Sequence, residues 1–455
     1  MALQSINPYT GTVVAEYTEA TEEEVDEQLA RSVAAATCWR RSSFDARRGV
    51  LERVASVLRE RKQEFAELMT LEMGKLIGSA EAEVEKCAWA CDYYVEHAER
   101  FLSAEPIETD ARRSSVAYNP LGVVLAVMPW NFPFWQVMRF AAPAIMAGNA
   151  GLLKHASNVQ GAAYAIESIL AEAGAPDDVF SVLPISGSRV PSVIADPRIA
   201  AVTLTGSTPA GRAVGEAAGR ALKKCVLELG GSDPYVILED ADLATAADAC
   251  VTGRMINGGQ SCIAAKRLIV VDDVRDQFTE LVLERLKGYQ PGDPFDPATT
   301  LGPMAKADLR DELHDQVVRA TDAGAKLRLG GTIPGGPAAF YPATLLTEVG
   351  PANPAFREEL FGPVAVIVPA RDKVHAIELA NDSSFGLGAA VFTQDLERGE
   401  RIATEELDAG NVAVNGFVKS DPRLPFGGIK ESGFGRELSW LGIREFVNTK
   451  AVVVS

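Results

Sequence analysis

Residues 200–212 read AAVTLTGSTPAGR, a largely apolar run that stops at Gly206 and resumes in a helical pattern. A buried strand that turns on a glycine into a helix is the repeating unit of parallel α/β sheets. Gly206 and Gly211 stand at the turn, where bare backbone permits close approach and a helix N-terminus favours phosphate. The spacing is GSxxxG rather than GxGxxG, so an ordinary tight connection is equally compatible with it.

The alternation recurs on both sides. GVVLAVMP, AGLLK and VFSVLP precede the stretch, and KKCVLELG, DPYVILED and RLIVVDD follow it. Each reads as a buried strand, and most lead through Gly, Ser, Pro or Asn into a helical pattern. A second series comprises FYPATLLTEV, PVAVIVPA, GAAVFT and GNVAVN. Two α/β domains meeting near residue 230 are expected. The first 110 residues instead predict helices. Thr21 and Glu24 form a capping-box pattern, Val25, Leu29 and Val33 recur at helical spacing, and residues 44–75 form one or two amphipathic helices. The C-terminal IREFVNTKAVVVS ends in a β-rich run suited to pairing with another subunit.

At 455 residues the chain is too long for one ordinary core, and its 47% hydrophobic content predicts a well-packed soluble protein. A net charge of −18 argues against nucleic acid or anionic lipid as the main partner. It leaves room for a small anion held by local arginines. The N-terminal residues show no basic segment followed by an apolar run, and the longest apolar runs fall short of a membrane span, so a cytoplasmic location is expected. No two of the six cysteines form a CxxC pair, and none of the four histidines stands at zinc-ligand spacing with a cysteine. Reduced thiols and no metal are expected.

Four further stretches could carry chemistry. In GLLKHASN, Lys154 ends a strand, where a lysine reaches a ribose or phosphate, unless it is simply solvated. Ser157 stands where a ribose-gripping acid is common; without that acid the extra phosphate of NADP is tolerated. In VMPWNFPFWQVMRFAAPA, Asn131 lies among rigid apolar residues as a candidate oxyanion donor. Arg139, in an apolar helical run, needs an anion, either an internal carboxylate or one on a substrate. In CVLELGGSDP, Glu228 ends an apolar strand, so burial should raise its pKa toward that of a general base; bonding to backbone amides is the alternative. In GGQSCIAA, Cys262 follows a flexible lead. If the loop enters a helix, the helix N-terminus lowers the thiol pKa; an inert core thiol is the plainer reading.

Together PWNFP, GLLKHAS, LTGSTPAG, LELGGSDP, GGQSCIAAKR, EELFGPV, FGLGAAVFT and LPFGGIKESGFGRE resemble the aldehyde dehydrogenase superfamily, in order over nearly the whole chain. The chain looks most like its short bacterial succinate-semialdehyde dehydrogenases. The resemblance implies two doubly wound parallel-sheet domains plus a small β oligomerisation element. The cofactor domain would span 1–110 and 119–229, the catalytic domain 230–435, and the oligomerisation element 111–118 and 436–455. It implies Cys262 as nucleophile, Glu228 as general base and Asn131 as the oxyanion amide. Pro129, Trp130, Lys154, Ser157, Gly187, Gly206, Ser207, Gly211, Glu359 and Phe361 would bind NADP, preferred, or NAD. Arg139 and Ser420 would hold the carboxylate of a small anionic aldehyde. A homodimer or homotetramer is implied. Glutarate semialdehyde or an aliphatic aldehyde is the alternative substrate. A CoA-acylating enzyme, which would lack the Glu228 base, and a non-catalytic member of the fold are more distant alternatives. The lysine motif departs from the common KPxE, reading Lys154-His155-Ala156-Ser157, and Ser232 replaces a common lysine.

Overall fold

A computed structural model describes residues 3–455. A six-stranded sheet runs in the order Gly433–Phe434, Lys224–Glu228, Ile199–Thr205, Val123–Met128, Ala150–His155, Phe180–Val182. A seven-stranded sheet runs Lys326–Leu329, Thr344–Thr347, Val364–Ala370, Ala265–Val271, Asp233–Ile237, Gly388–Phe392, Asn411–Val414. Both are parallel except at one edge, Gly433–Phe434 in the first and Lys326–Leu329 in the second. Their inner strands are buried on both faces and packed under helices, which is why they read as unbroken apolar runs. The chain passes from one sheet to the other between Glu228 and Asp233.

All eleven apolar runs form strands, with bounds a few residues inside the quoted segments. The N-terminal helices are Glu22–Trp39, Phe44–Glu60, Lys62–Met73 and Ile77–Leu102, and the Thr21/Glu24 capping box is formed in both directions. The amphipathic stretch 44–75 divides into two helices at Arg61, whose φ is −109°. Two short paired strands, Leu3–Ile6 and Val13–Tyr17, precede the helices and were not expected.

A three-stranded antiparallel sheet joins Glu105–Ile107, Arg113–Pro120 and Val447–Val454. It reaches further upstream than the 111–118 expected for a small β element. The Gly433–Phe434 strand, inside the span 230–435, pairs with Lys224–Glu228 rather than with the seven-stranded sheet. No helix among the described residues is long and apolar enough to cross a membrane.

One buried ion pair positions the helix that follows Asn131. Glu83 pairs with Lys75, and both are almost fully buried. The other Glu83 oxygen accepts from the backbone N–H groups of Phe134 and Trp135, each at 2.9 Å, at the uncapped start of the helix Trp135–Ala147. The carboxylate thus supplies the acceptor that a capping side chain otherwise would. Replacing Glu83 with Ala leaves Lys75 buried without a counter-charge and is expected to cost about 3–5 kcal/mol. An unchanged thermal unfolding midpoint for Glu83→Ala would contradict this account.

Candidate active site

Cys262 does not enter a helix. The residues after it turn into the strand Ala265–Val271, so the loop does not set the thiol at the start of a helix. The lead before it is rigid rather than flexible. Asn257, Gly258 and Gly259 all hold left-handed backbone, with φ of 54°, 62° and 78°. A Cβ at Gly259 would collide with the Gly362 carbonyl, so both the conformation and the packing demand glycine. Fully buried Arg254 fastens this turn by donating to the carbonyls of Gly259, Leu360 and Gly362. Lys266 donates to the carbonyls of Ser261 and Cys262, at 2.9 and 2.7 Å, and pairs with Glu359 at 2.9 Å. The nucleophile loop and the Glu359–Phe361 loop are therefore held as one body.

The thiol opens on a cleft lined by Pro129, Trp130, Asn131, Gly206, Ser207, Glu359 and Phe361, residues named from the sequence, and by Gln136, Thr205, Leu229, Gly230 and Leu309. Thr205 and Gly230 flank named motif residues and were legible by adjacency; Leu309 carried no sequence signal. Asn131 donates from Nδ2 to the Gln260 carbonyl at 3.1 Å, and its own carbonyl accepts from Asn257 at 2.7 Å. Its amide is thus aimed at the loop that carries the thiol.

The electrostatics displace both chemical groups toward their neutral forms. Burial pushes the Cys262 thiol up to about 12, although Lys266 and Arg139 pull the other way. Glu228 is 2% exposed, and neither carboxyl oxygen has a hydrogen-bond partner. Burial, reinforced by the nearby Glu437 charge, holds its pKa well above the usual carboxylate value. It is not hydrogen-bonded to backbone amides. It also does not line the cleft: its Oε1 lies against Gly427, where any Cβ would crowd it.

Arg139 has an internal partner. Its Nε pairs with the buried carboxylate of Glu437, its Nη2 donates to Thr205 Oγ1 at 3.2 Å, and its guanidinium lies 4.8 Å from the centre of the Phe426 ring. The internal carboxylate, one of the two alternatives open in the sequence, is therefore present. Ser420 is buried and accepts from Lys86 Nζ at 2.7 Å. Glu437, Lys266 and Lys86 were not singled out in the sequence; Glu437 ends one quoted motif and Lys266 lies in another, and Lys86 carried no signal.

The cofactor residues fit a dinucleotide along the carboxyl edge of the six-stranded sheet. Ser207 caps the helix Thr208–Arg220, and Gly206 precedes it facing the cleft. A Cβ at Gly206 would meet no protein atom closer than 3.6 Å, so the protein itself does not require glycine there. The space is on the cleft side, where a pyrophosphate would need close approach to the backbone. Gly211 has a different role: a Cβ there would collide with Leu229, which packs the helix on the sheet. Lys154 lies in register with Val127 near the strand end; burial lowers its pKa, with Glu19 opposing. Ser157 is exposed just beyond it, and Gly187 is exposed after the next strand with open space around it. The departure at His155 has a structural reason. Its buried, neutral ring accepts from the Ala156 N–H and donates to the Pro133 carbonyl at 2.9 Å, stapling the Asn131 loop to the sheet.

The model of the aldehyde dehydrogenase family matches residues 1–452. The succinate semialdehyde dehydrogenase [NAD(P)+] Sad of Escherichia coli K12 is 48% identical over 448 residues, 98% of this chain and 97% of that protein. A probable succinate-semialdehyde dehydrogenase [NADP(+)] of Synechocystis is 49% identical over the full length of both. The crystal structure of a Streptococcus pyogenes succinic semialdehyde dehydrogenase in complex with NADP+ superposes with a TM-score of 0.97 at 40% identity, covering all of both chains. The chain belongs to the aldehyde dehydrogenase family.

Proposed function

We propose that the protein oxidises succinate semialdehyde to succinate with NADP, or less favourably NAD. The observation that carries the chemistry is the meeting of Cys262, the Asn131 amide and the Glu359–Phe361 loop on one cleft beside the Gly206 turn. The substrate assignment draws its support from the full-length relatives, both of which carry succinate-semialdehyde names.

Attack of Cys262 on the aldehyde carbon gives a thiohemiacetal, and the thiol must lose its proton for this to occur. Asn131, with the Cys262 backbone N–H, stabilises the oxyanion; losing such a donor typically costs about 2.7–4 kcal/mol. The cleft walls Pro129, Trp130, Glu359 and Phe361 would hold a nicotinamide ribose and ring, with Gly206 and Ser207 at the pyrophosphate, Lys154 and Ser157 at the adenosine ribose, and Gly187 beside them. The chemistry that a bound nicotinamide would supply is acceptance of the hydride whose loss leaves a thioester. Glu228 must then move from its place against Gly427 toward the cleft, ionise, and take a proton from the water that releases the acid. Because its pKa is raised, its basic fraction, and with it thioester hydrolysis, increases as pH rises.

In this reading residues 1–110 and 119–229 serve the cofactor, 230–435 the catalytic loops, and 111–118 with 436–455 subunit pairing. The outer edge of Val447–Val454 is unpaired, and Val453 on it is 63% exposed. Pairing through this edge predicts a dimer or tetramer by sedimentation; a 48.5 kDa monomer would exclude it.

The wild-type protein is expected to reduce NADP with succinate semialdehyde, and Cys262→Ala to lose this entirely. Glu228→Gln is expected to release one equivalent of NADPH per site and stall. Retained turnover in Cys262→Ala, or undiminished steady-state turnover in Glu228→Gln, would overturn these roles. Ser157→Glu sets a carboxylate against the 2′-phosphate. It is expected to lower kcat/KM for NADP by about tenfold or more while sparing NAD, since like charges brought together cost several kcal/mol. An unchanged NADP/NAD ratio counts against Ser157 facing the ribose.

A further inference from the structure

Three of the other buried cations around the nucleophile have carboxylate partners. Arg139 pairs with Glu437, Lys75 with Glu83 and Lys266 with Glu359, and Arg254 and Arg267 each donate to three backbone carbonyls. Lys86 differs. It sits on the helix Ile77–Leu102, three residues after Glu83, and is half-buried. Its Nζ donates to Ser420 Oγ at 2.7 Å and lies 4.3 Å from the centre of the Trp135 ring. Among the described residues it forms no ion pair. The carboxylates that bear on it are engaged elsewhere. Glu83 serves Lys75 and two backbone amides, and Asp421 receives the backbone N–H and guanidinium of Arg423.

A half-buried ammonium with only a hydroxyl and an indole face for company is poorly compensated. Burial and the neighbouring Arg139 charge accordingly push it down to about 8. An arriving carboxylate would reverse that penalty, because an opposite charge favours the ammonium.

Through Trp135 and Arg139 the site adjoins the helix that follows Asn131. Trp135 and Arg139 stand one turn apart on one face of the helix Trp135–Ala147. The Arg139 charge bears on both Lys86 and Cys262. Ser420 uses a lone pair to accept from Lys86, which leaves its own O–H free to donate. A carboxylate can take both hydrogens, one on each oxygen.

We infer that Lys86, together with the Ser420 hydroxyl, receives the distal carboxylate of the substrate and sets the preference for short ω-carboxylate aldehydes over neutral ones. The inference rests on the substrate class proposed above and adds the Lys86 charge to that of Arg139.

The test compares kcat/KM for succinate semialdehyde with that for butanal, a neutral aldehyde of equal carbon count, at saturating NADP. In Lys86→Met, which keeps much of the stem and removes the charge, the ratio is expected to fall about 10- to 100-fold, as loss of a charge-assisted hydrogen bond implies. The fall should lie in KM rather than kcat, and Lys86→Arg should recover most of it. A wild-type enzyme that does not prefer the semialdehyde overturns the substrate reading, and this inference with it. A preference present in the wild type and intact in Lys86→Met overturns Lys86 alone. A second readout needs neither turnover nor cofactor. Succinate should slow iodoacetamide alkylation of Cys262 in the wild type and lose that protection in Lys86→Met; equal protection in both also overturns the inference.

Discussion

Three consecutive left-handed residues, Asn257, Gly258 and Gly259, decide where the reactive sulfur can be. Such a backbone persists only when its surroundings over-determine it. Arg254 supplies part of that constraint by gathering the carbonyls of Gly259, Leu360 and Gly362. Asn257 supplies another part by reaching the Asn131 carbonyl. Three loops far apart in sequence are thereby clamped to one another, and the strands below only need to bring them within reach. The same logic runs through Lys266, which grips the Cys262 carbonyl with one hydrogen and Glu359 with another.

The resting site is electrostatically quiet. The thiol and the acid are both buried, both displaced toward their neutral forms, and separated, since Glu228 lies outside the cleft. Neither group is competent alone. In the proposed mechanism each must become charged in the course of reaction, which burial makes costly until a partner for that charge is present. The buried Arg139–Glu437 pair sits beside both groups and sets the local field without a net charge of its own.

The strands were legible because their inner members are buried on both faces, so nothing interrupts the apolar run. The strands that escaped are short or exposed. Leu3–Ile6 alternates buried and exposed residues over only four positions, and Lys326–Leu329 is an exposed edge bearing two cations. The turn before Cys262 was misjudged because Gly-Gly-Gln-Ser is equally suited to a helix cap and to a left-handed bend. Only the approach of the Gly362 carbonyl distinguishes them, and that contact spans about a hundred residues. Of the site, Cys262, Asn131 and Gly206 were legible through the motifs around them. Lys86 was not, since a single lysine in a helix reads as solvated until its neighbours are known. Arg139 was visible as an expensive charge, but its partner Glu437 lies nearly three hundred residues away.

The handover between the two large sheets takes only four residues, from Leu229 to Ser232, and Glu228 is the last residue before it. Gly230 and Gly231 have no slack there. A methyl on the first would strike Glu359, and one on the second would meet the Cys262 carbonyl. The connection therefore behaves as a short gear rather than a loose tether. Any rocking of one sheet against the other is transmitted at once to the carboxyl on one side and to the sulfur's own backbone on the other. The two halves of the molecule cannot change their angle without resetting the spacing between the groups that share the work.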